Sequence, residues 1–207
     1  MYKRRPFIVF EGIEGSGKSV HSQSLVRKLK SLKIPCIYLR EPGGSKEAED
    51  IRNFILRNIN EKFNSLTDTL LYLAARNENF LKKIKPFYKK KVIICDRFVD
   101  STLAYQHYGF GVRKNVINFI NKEIMGTIKP DYTFLMYLNV DKSISRISNK
   151  KKINRYDKFS KVFYTKVQNG FLKIRKKNKS KYLIINSLNK FEINKNIIFN
   201  QVKKLMI

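Results

Sequence analysis

The sequence predicts an α/β protein of three layers, a five-stranded parallel sheet flanked by helices on both faces. Three observations predict it. Five short segments are apolar without an alternating polar face, as strands covered on both sides must be. Longer amphipathic segments separate them, so that each strand is followed by a helical crossover. Residues 12–19 form a glycine-rich turn between the first strand and the first helix, the context of a phosphate-binding loop.

Residues 7–10 read as the first buried strand. A helix follows over 18–32, where Val20, Leu25, Val26, Leu29 and Leu32 fall near helical spacing, and Pro35 marks the turn after it. Residues 36–39 are the second strand, and 47–56 and 66–84 read as helices. The apolar run 92–95 ends at Asp96-Arg97, and 116–125 is helical. Lys129-Pro130-Asp131 opens a strand over 132–140. Asp141 is the expected cap of the next helix, its carboxylate accepting from unpaired backbone N–H groups. A basic helix over 159–176, a strand over 182–185 and a helix over 191–205 complete the chain. Ligands of such sheets bind beyond the carboxyl ends of the strands, so segments 11–19, 40–44 and 96–106 are expected to converge.

The 207 residues suit one domain spanning 1–207, and an apolar content of 43% supports a packed core. No apolar run is long enough to cross a membrane, and the run after the basic start breaks at Glu11-Gly12, too early for a signal peptide. A cytoplasmic protein without a membrane partner is expected. Cys36 and Cys95 sit in apolar, strand-like runs and read as a pair of reduced core thiols; a metal site would need more ligands at closer spacing, and with His21 and His107 so far apart no zinc site is expected. The net charge of +28 would suit a nucleic-acid partner, but the lysines are scattered and Lys, Asn and Ile are all abundant, the mark of A/T-rich codons. No specific nucleic-acid partner is expected.

Gly12-Ile13-Glu14-Gly15-Ser16-Gly17-Lys18-Ser19 matches G-x-x-x-x-G-K-[ST] in full. Its glycines let backbone N–H groups turn toward phosphate oxygens, and the helix start adds positive potential. Lys18 supplies a point charge for the β- and γ-phosphates of ATP, and the Ser19 hydroxyl can ligate Mg²⁺. Asp96, at the end of the third strand, fits the carboxylate that holds the same metal, usually through water, the alternative being a strand-end cap or turn residue. These features define a P-loop NTPase fold.

Further motifs follow in order: Arg40-Glu41-Pro42-Gly43-Gly44, Leu71-Tyr72-Leu73-Ala74-Ala75-Arg76, then Asp96-Arg97-Phe98-Val99-Asp100-Ser101-Thr102-Leu103-Ala104-Tyr105-Gln106, then Lys129-Pro130-Asp131-Tyr132-Thr133. With the phosphate loop, this series resembles the bacterial thymidylate kinases from residue 7 to about residue 164. The resemblance implies transfer of the ATP γ-phosphoryl group to dTMP, with Mg²⁺, in a homodimer. It implies that Arg97 holds the dTMP phosphate, alternatively pairing with a carboxylate such as Asp100, and that Arg40 and Pro42 line the dTMP site. Arg76 would donate to the thymine carbonyl edge and Tyr72 would stack on the base or simply pack in the core. Thr102 and Gln106 would approach the base edge, and Tyr105 would crowd the ribose 2′ position, the alternative being that all three merely pack a helix start. Glu14 would touch the dTMP 3′-hydroxyl or the metal shell, and Arg146 would pack against adenine. A lid at 148–157 would supply Arg155 as the catalytic cation, the alternative being a solvated basic loop.

Some residues depart from the family pattern. Tyr72 stands where Phe is usual, and His107-Tyr108-Gly109-Phe110-Gly111 where Gly-x-Gly-Arg-Gly is frequent. Asn139 replaces a common Asp, and the lid reads Asn154-Arg155-Tyr156-Asp157 rather than Asp-Arg-x-Glu. Another P-loop kinase of deoxynucleotides or nucleosides, a nucleic-acid-binding ATPase and an inactive paralogue remain the alternatives.

Overall fold

The structure, a computed structural model, describes residues 4–57, 63–149 and 155–207. Each apolar run is a strand: β1 (Phe7–Glu11), β2 (Cys36–Arg40), β3 (Val92–Asp96), β4 (Tyr132–Tyr137) and β5 (Tyr182–Asn186). All neighbours pair parallel, in the order β2-β3-β1-β4-β5. The described helices are α1 (Lys18–Ser31), α2 (Lys46–Arg57), α3 (Ser65–Asn79), α4 (Val99–Thr102), α5 (Lys114–Met125), α6 (Val140–Ser148), α7 (Lys161–Lys177) and α8 (Phe191–Met206). Helix α3 continues into a wide π-helical turn, Phe80–Ile84, and α4 into another, Leu103–Gly109. No helix among the described residues is long and apolar enough to cross a membrane.

Apolar residues in sequence succession are needed because successive strand side chains point to opposite faces. On one face Ile8, Phe10, Ile94 and Phe134 pack against Leu25 and Leu29 of α1 and Ile198 and Val202 of α8. On the other face Phe7, Val9 and Ile93 meet Phe80, Ile84 and Phe98. Beside them Leu135 meets Ala104, Tyr105, Tyr164, Val167 and Phe171. Each such fully buried side chain contributes roughly 1.5–3 kcal/mol. This double cover holds β1 and β3 rigid at the centre, and both end at the site described below.

Strand β4 ends at Tyr137 rather than at residue 140. Asn139 takes the chain out of the sheet, its side-chain oxygen accepting from the Asp141 backbone N–H at 2.8 Å. Asn139, not Asp141, therefore caps α6; the Asp141 carboxylate pairs with Lys161 at 2.5 Å. Helix α7 starts two residues later than its periodicity suggests, because Ser160 caps it by accepting from Phe163 N. Cys95 is buried and reduced; Cys36 is reduced but only half-buried.

The bulky His107–Gly111 segment fits in part because a glycine of α7 faces it. Tyr108 lies over Gly170 of α7, and Phe110 packs against Phe159 and Phe163. A Cβ at Gly170 would lie 2.7 Å from the Tyr108 ring. Alanine in a helix interior gains about 1 kcal/mol over glycine, while overpacking costs about 1–3 kcal/mol. Because the collision reaches the Tyr108 Cβ as well as its ring, overpacking should win. Gly170→Ala is expected to lower stability by about 1 kcal/mol in urea unfolding; an increase would contradict this packing.

Candidate active site

The phosphate loop leaves β1 through Gly12 at φ 139° and enters α1 through Gly17 at φ 86°. A Cβ at Gly12 would collide with the Met136 carbonyl of β4, so only glycine lets the loop lie this close to the sheet. Lys18 is 6% exposed, and its Nζ donates to the Ile13 carbonyl at 2.7 Å. Burial, then the Arg97 charge, lowers its ammonium to about 7, against the opposing pull of Glu14, Asp96 and Glu11. An anion in the loop would favour the charged form. The Ser19 hydroxyl donates to an Asp96 carboxylate oxygen.

Arg97 follows β3 in a left-handed conformation, φ 70°. Its backbone N–H donates to the Phe10 carbonyl at 2.9 Å. Its Nη1 donates to the Gly12 carbonyl at 3.0 Å and to Ser101 Oγ at 3.2 Å, and its Nη2 to Glu14 at 2.7 Å. The neighbouring-carboxylate alternative is thus met by Glu14, while Asp100 accepts from the Tyr182 hydroxyl at 2.7 Å. Burial alone would raise the Glu14 carboxyl, but Arg97 and Lys18 hold it below its usual range. The Tyr105 hydroxyl also donates to Glu14, and the Arg97 guanidinium lies over the Tyr105 ring.

Arg76 of α3 is 2% exposed. Its Nε and Nη2 donate to Glu41 at 2.8 and 2.6 Å, its Nη1 to Asn121 at 2.8 Å, and its Nη2 also to Thr102 at 3.0 Å. Burial raises the Glu41 carboxyl although Arg76 draws it down. Arg52 Nη1 donates to the Pro42 carbonyl at 2.7 Å, and Arg40 pairs with Glu49 at 3.4 Å. Arg146 reaches from α6 to the Gly15 carbonyl at 2.9 Å and to the Ser187 carbonyl at 3.3 Å.

One cavity of about 430 Å³ gathers most of these groups. Glu14, Gly15, Gly17, Lys18, Ser19, Arg40, Pro42, Tyr72, Arg76, Asp96, Arg97, Thr102, Tyr105 and Gln106 all line it. Gly12, Ile13 and Ser16 sit behind it in the loop, and Arg146 stands at the loop's outer side. Of the expected lid, residues 150–154 and the Arg155 side chain lie outside the described residues. Tyr156 lines the cavity and donates to Asp68 at 3.0 Å. Sequence reasoning missed Glu41, Arg52, Ser101 and Tyr156 as lining residues, and Glu11 behind them. Glu11 carried one signal, an acid in an otherwise apolar strand; Arg52 carried none.

Ser19 and Asp96 offer hard oxygen donors side by side. Among the described residues no three His, Cys, Asp or Glu side chains cluster to cage an ion. This sparse oxygen set fits Mg²⁺, which keeps waters and takes phosphate oxygens, better than zinc.

A parallel sheet whose first strand runs into a glycine-rich loop and helix, with an acid ending the adjacent strand beside the loop's serine, is a P-loop kinase fold. Residues 10–198 match the family described as thymidylate kinase. The chain is 36% identical to the thymidylate kinase of a Sulfurihydrogenibium species, over 97% of its own length and 98% of the relative's. It is 39% identical to that of Ehrlichia chaffeensis, over 83% of each chain. The crystal structure of thymidylate kinase from Ehrlichia chaffeensis superposes with a TM-score of 0.78 at 32% identity, covering 96% of this chain and 98% of that one. The protein belongs to the thymidylate kinase family.

Burial and the neighbouring Asp100 push the Glu11 carboxyl up to about 7, while Ser101, Arg97 and the Phe98 N–H draw it down. Lys18, Tyr182 and Cys95 also feel its charge. Between the ordinary carboxyl value of 4.5 and about 7 the folded state therefore binds more protons than the unfolded chain. Stability from this group falls as pH rises through that window. Glu11→Gln should remove the decline, so urea midpoints of variant and wild type should diverge in the variant's favour from about pH 5 to about pH 8. A difference independent of pH would contradict the assignment.

Proposed function

We propose that the protein is a dTMP kinase, transferring the γ-phosphoryl group of ATP to dTMP to give dTDP and ADP for dTTP synthesis in the cytoplasm. The observation that carries this reading is the position of Arg97, whose fork lies against the phosphate loop at the Gly12 carbonyl while lining the same cavity as Lys18. A guanidinium fork suits phosphate oxygens, so an acceptor phosphate held there would face the triphosphate in the loop.

In this reading the loop amides of residues 12–19 and Lys18 hold the β- and γ-phosphates, and Arg146 lies along the adenine. Glu14 releases Arg97 to the dTMP phosphate and turns to the 3′-hydroxyl. Hydrogen bonds take four of the five N–H donors of the Arg76 fork, leaving one Nη1 N–H to reach a thymine carbonyl. Tyr72 stacks on the base, Thr102 and Gln106 approach its edge, and Arg40 and Pro42 close the wall. Tyr105, held by packing among Tyr156, Phe163 and Phe171, fills the space that a ribose 2′-hydroxyl would need. Ser19 and Asp96 would hold Mg²⁺, which when bound neutralises charge on the phosphates. No covalent enzyme intermediate is required: the dTMP phosphate oxygen attacks in line, and the chain's part is positioning and charge stabilisation. Arg155 in the lid supplies the cation that the loop lacks, since Glu14 stands within it.

ADP release with ATP and Mg²⁺ should be strongly stimulated by dTMP, less by dUMP, and little by dCMP, dGMP, AMP or no acceptor. Turnover unchanged by omitting the acceptor would overturn the kinase reading. In the same assay Lys18→Ala should lose at least about a hundredfold in turnover while staying folded. Arg155→Ala should lose a similar factor in kcat with far smaller changes in KM; a loss in KM alone would remove Arg155 from the chemistry.

We further infer a homodimer formed through helices beside the sheet. Leu66 and Leu70, four residues apart on α3, are 45% and 46% exposed, and Phe119 on the adjoining α5 is 65% exposed. Sedimentation should give twice the chain mass for the wild type and a monomer for Leu70→Asp. A monomeric wild type at micromolar concentration would refute the dimer.

A further inference from the structure

The roles assigned above leave unused the most deeply buried acid among the described residues. Glu11, the last residue of β1, is 0% exposed. Its carboxylate accepts from the backbone N–H of Phe98 at 2.8 Å and of Ser101 at 3.2 Å, and from the Ser101 hydroxyl at 2.5 Å. All three donors belong to the turn that follows Arg97. That turn begins at a non-glycine residue held at φ 70°, a conformation that persists only where its surroundings over-determine it. Strand β1 holds it from two sides, through the Phe10 carbonyl on the Arg97 N–H and through the Glu11 carboxylate on Phe98 and Ser101.

The hydrogen-bond polarity matters as much as the anchoring. Ser101 has one hydroxyl proton, and it goes to Glu11. The Ser101 oxygen therefore turns lone pairs toward Arg97 Nη1, which donates to it at 3.2 Å. Without an acceptor at residue 11, that proton is free to rotate toward the guanidinium, setting donor against donor.

We propose that Glu11 is a positioning residue for the acceptor phosphate, acting through Ser101 to fix the direction in which Arg97 presents its fork. The inference rests on the reading that Arg97 holds the dTMP phosphate. Glutamine at this position is a near-isosteric test. Its oxygen can still accept from the two backbone N–H groups, but its amide NH₂ faces Ser101 and reverses the relay.

Steady-state kinetics on Glu11→Gln, Ser101→Ala, the double variant and Arg97→Ala separate the possibilities. Glu11→Gln should raise the KM for dTMP about tenfold while leaving the KM for ATP within about twofold, as expected for loss of one hydrogen bond serving a charged group. Ser101→Ala, which leaves Glu11 in place, should raise the same KM by a smaller factor. The double variant should be no worse than Glu11→Gln, because both act along one relay. An unchanged KM for dTMP in Glu11→Gln, with only a reduced folded fraction or kcat, would reduce Glu11 to a structural role and overturn the proposal. If Glu11→Gln does not fold, an unchanged KM for dTMP in Ser101→Ala overturns it equally. Arg97→Ala distinguishes the two levels. If it leaves dTMP binding intact, the reading of Arg97 fails; if it weakens dTMP binding while Glu11→Gln does not, only the role of Glu11 fails.

Discussion

Arg97 is fastened to β1 and its loop at the Phe10 and Gly12 carbonyls and at the Glu14 carboxylate, and the geometry of the cavity depends on those ties. The residue joins the two strands at the centre of the sheet just where both leave it. An unpaired guanidinium would be costly to bury, and a positive φ is costly for any side chain. Both costs are met by groups from one segment, residues 10–14. The phosphate loop and the cavity wall at Arg97 are therefore one hydrogen-bonded unit. A shift in the loop is transmitted directly to the group proposed to hold the acceptor.

The rest of the architecture keeps that unit in place. The sheet register sets Phe10 opposite Asp96 and Glu11 opposite Leu135, so β1 leaves the sheet close to the end of β3 while β4 runs on to Tyr137 beneath the loop. Packing above the sheet then fixes the outer wall. Helix α7 approaches the Leu103–Gly109 turn so closely that Gly109 and Gly170 have no room for a Cβ. This approach packs Tyr105 among Tyr156, Phe163 and Phe171. The bulk added at Tyr108 and Phe110 is thereby converted from an apparent disturbance of the pocket into its support.

How much of this was legible in the sequence depended on whether the signal was local. The strands were legible because burial on both faces demands unbroken apolar runs, as in Val92–Asp96. The phosphate loop was legible because its spacing and its strand-to-helix context are both local. The cap of α6 was misread for a local reason too: Asp141 is an equally good capping residue by type, but the chain turns helical at Val140, which leaves Asn139 as the non-helical residue at the cap and Asp141 inside the first turn. Glu41 and Asn121 could not be read as partners of Arg76, since 35 and 45 residues separate them from it. Ser101 looks like any polar residue at a helix start until the fold sets Glu11 on one side of it and Arg97 on the other.

The cavity's charges are arranged for exchange rather than for display. Five basic side chains and three carboxylates line it, yet its arginines are engaged before any ligand arrives: Arg97 with Glu14, Arg76 with Glu41, Arg40 with Glu49. Lys18, with a carbonyl for its partner, is instead eased toward its neutral form by burial. A bare cluster of cations would repel itself and would have to be desolvated. In the proposed reading an incoming phosphate would displace the Glu14 carboxylate from Arg97 or favour the charged form of Lys18, so the net change would be a swap of partners. Exposed lysines more than a Debye length away, about 8 Å at physiological salt, are largely screened. They can draw anionic nucleotides toward the protein, but in the proposed reading selection rests on Arg97, whose Glu14 partner the acceptor phosphate would replace, and on the remaining Nη1 N–H of Arg76.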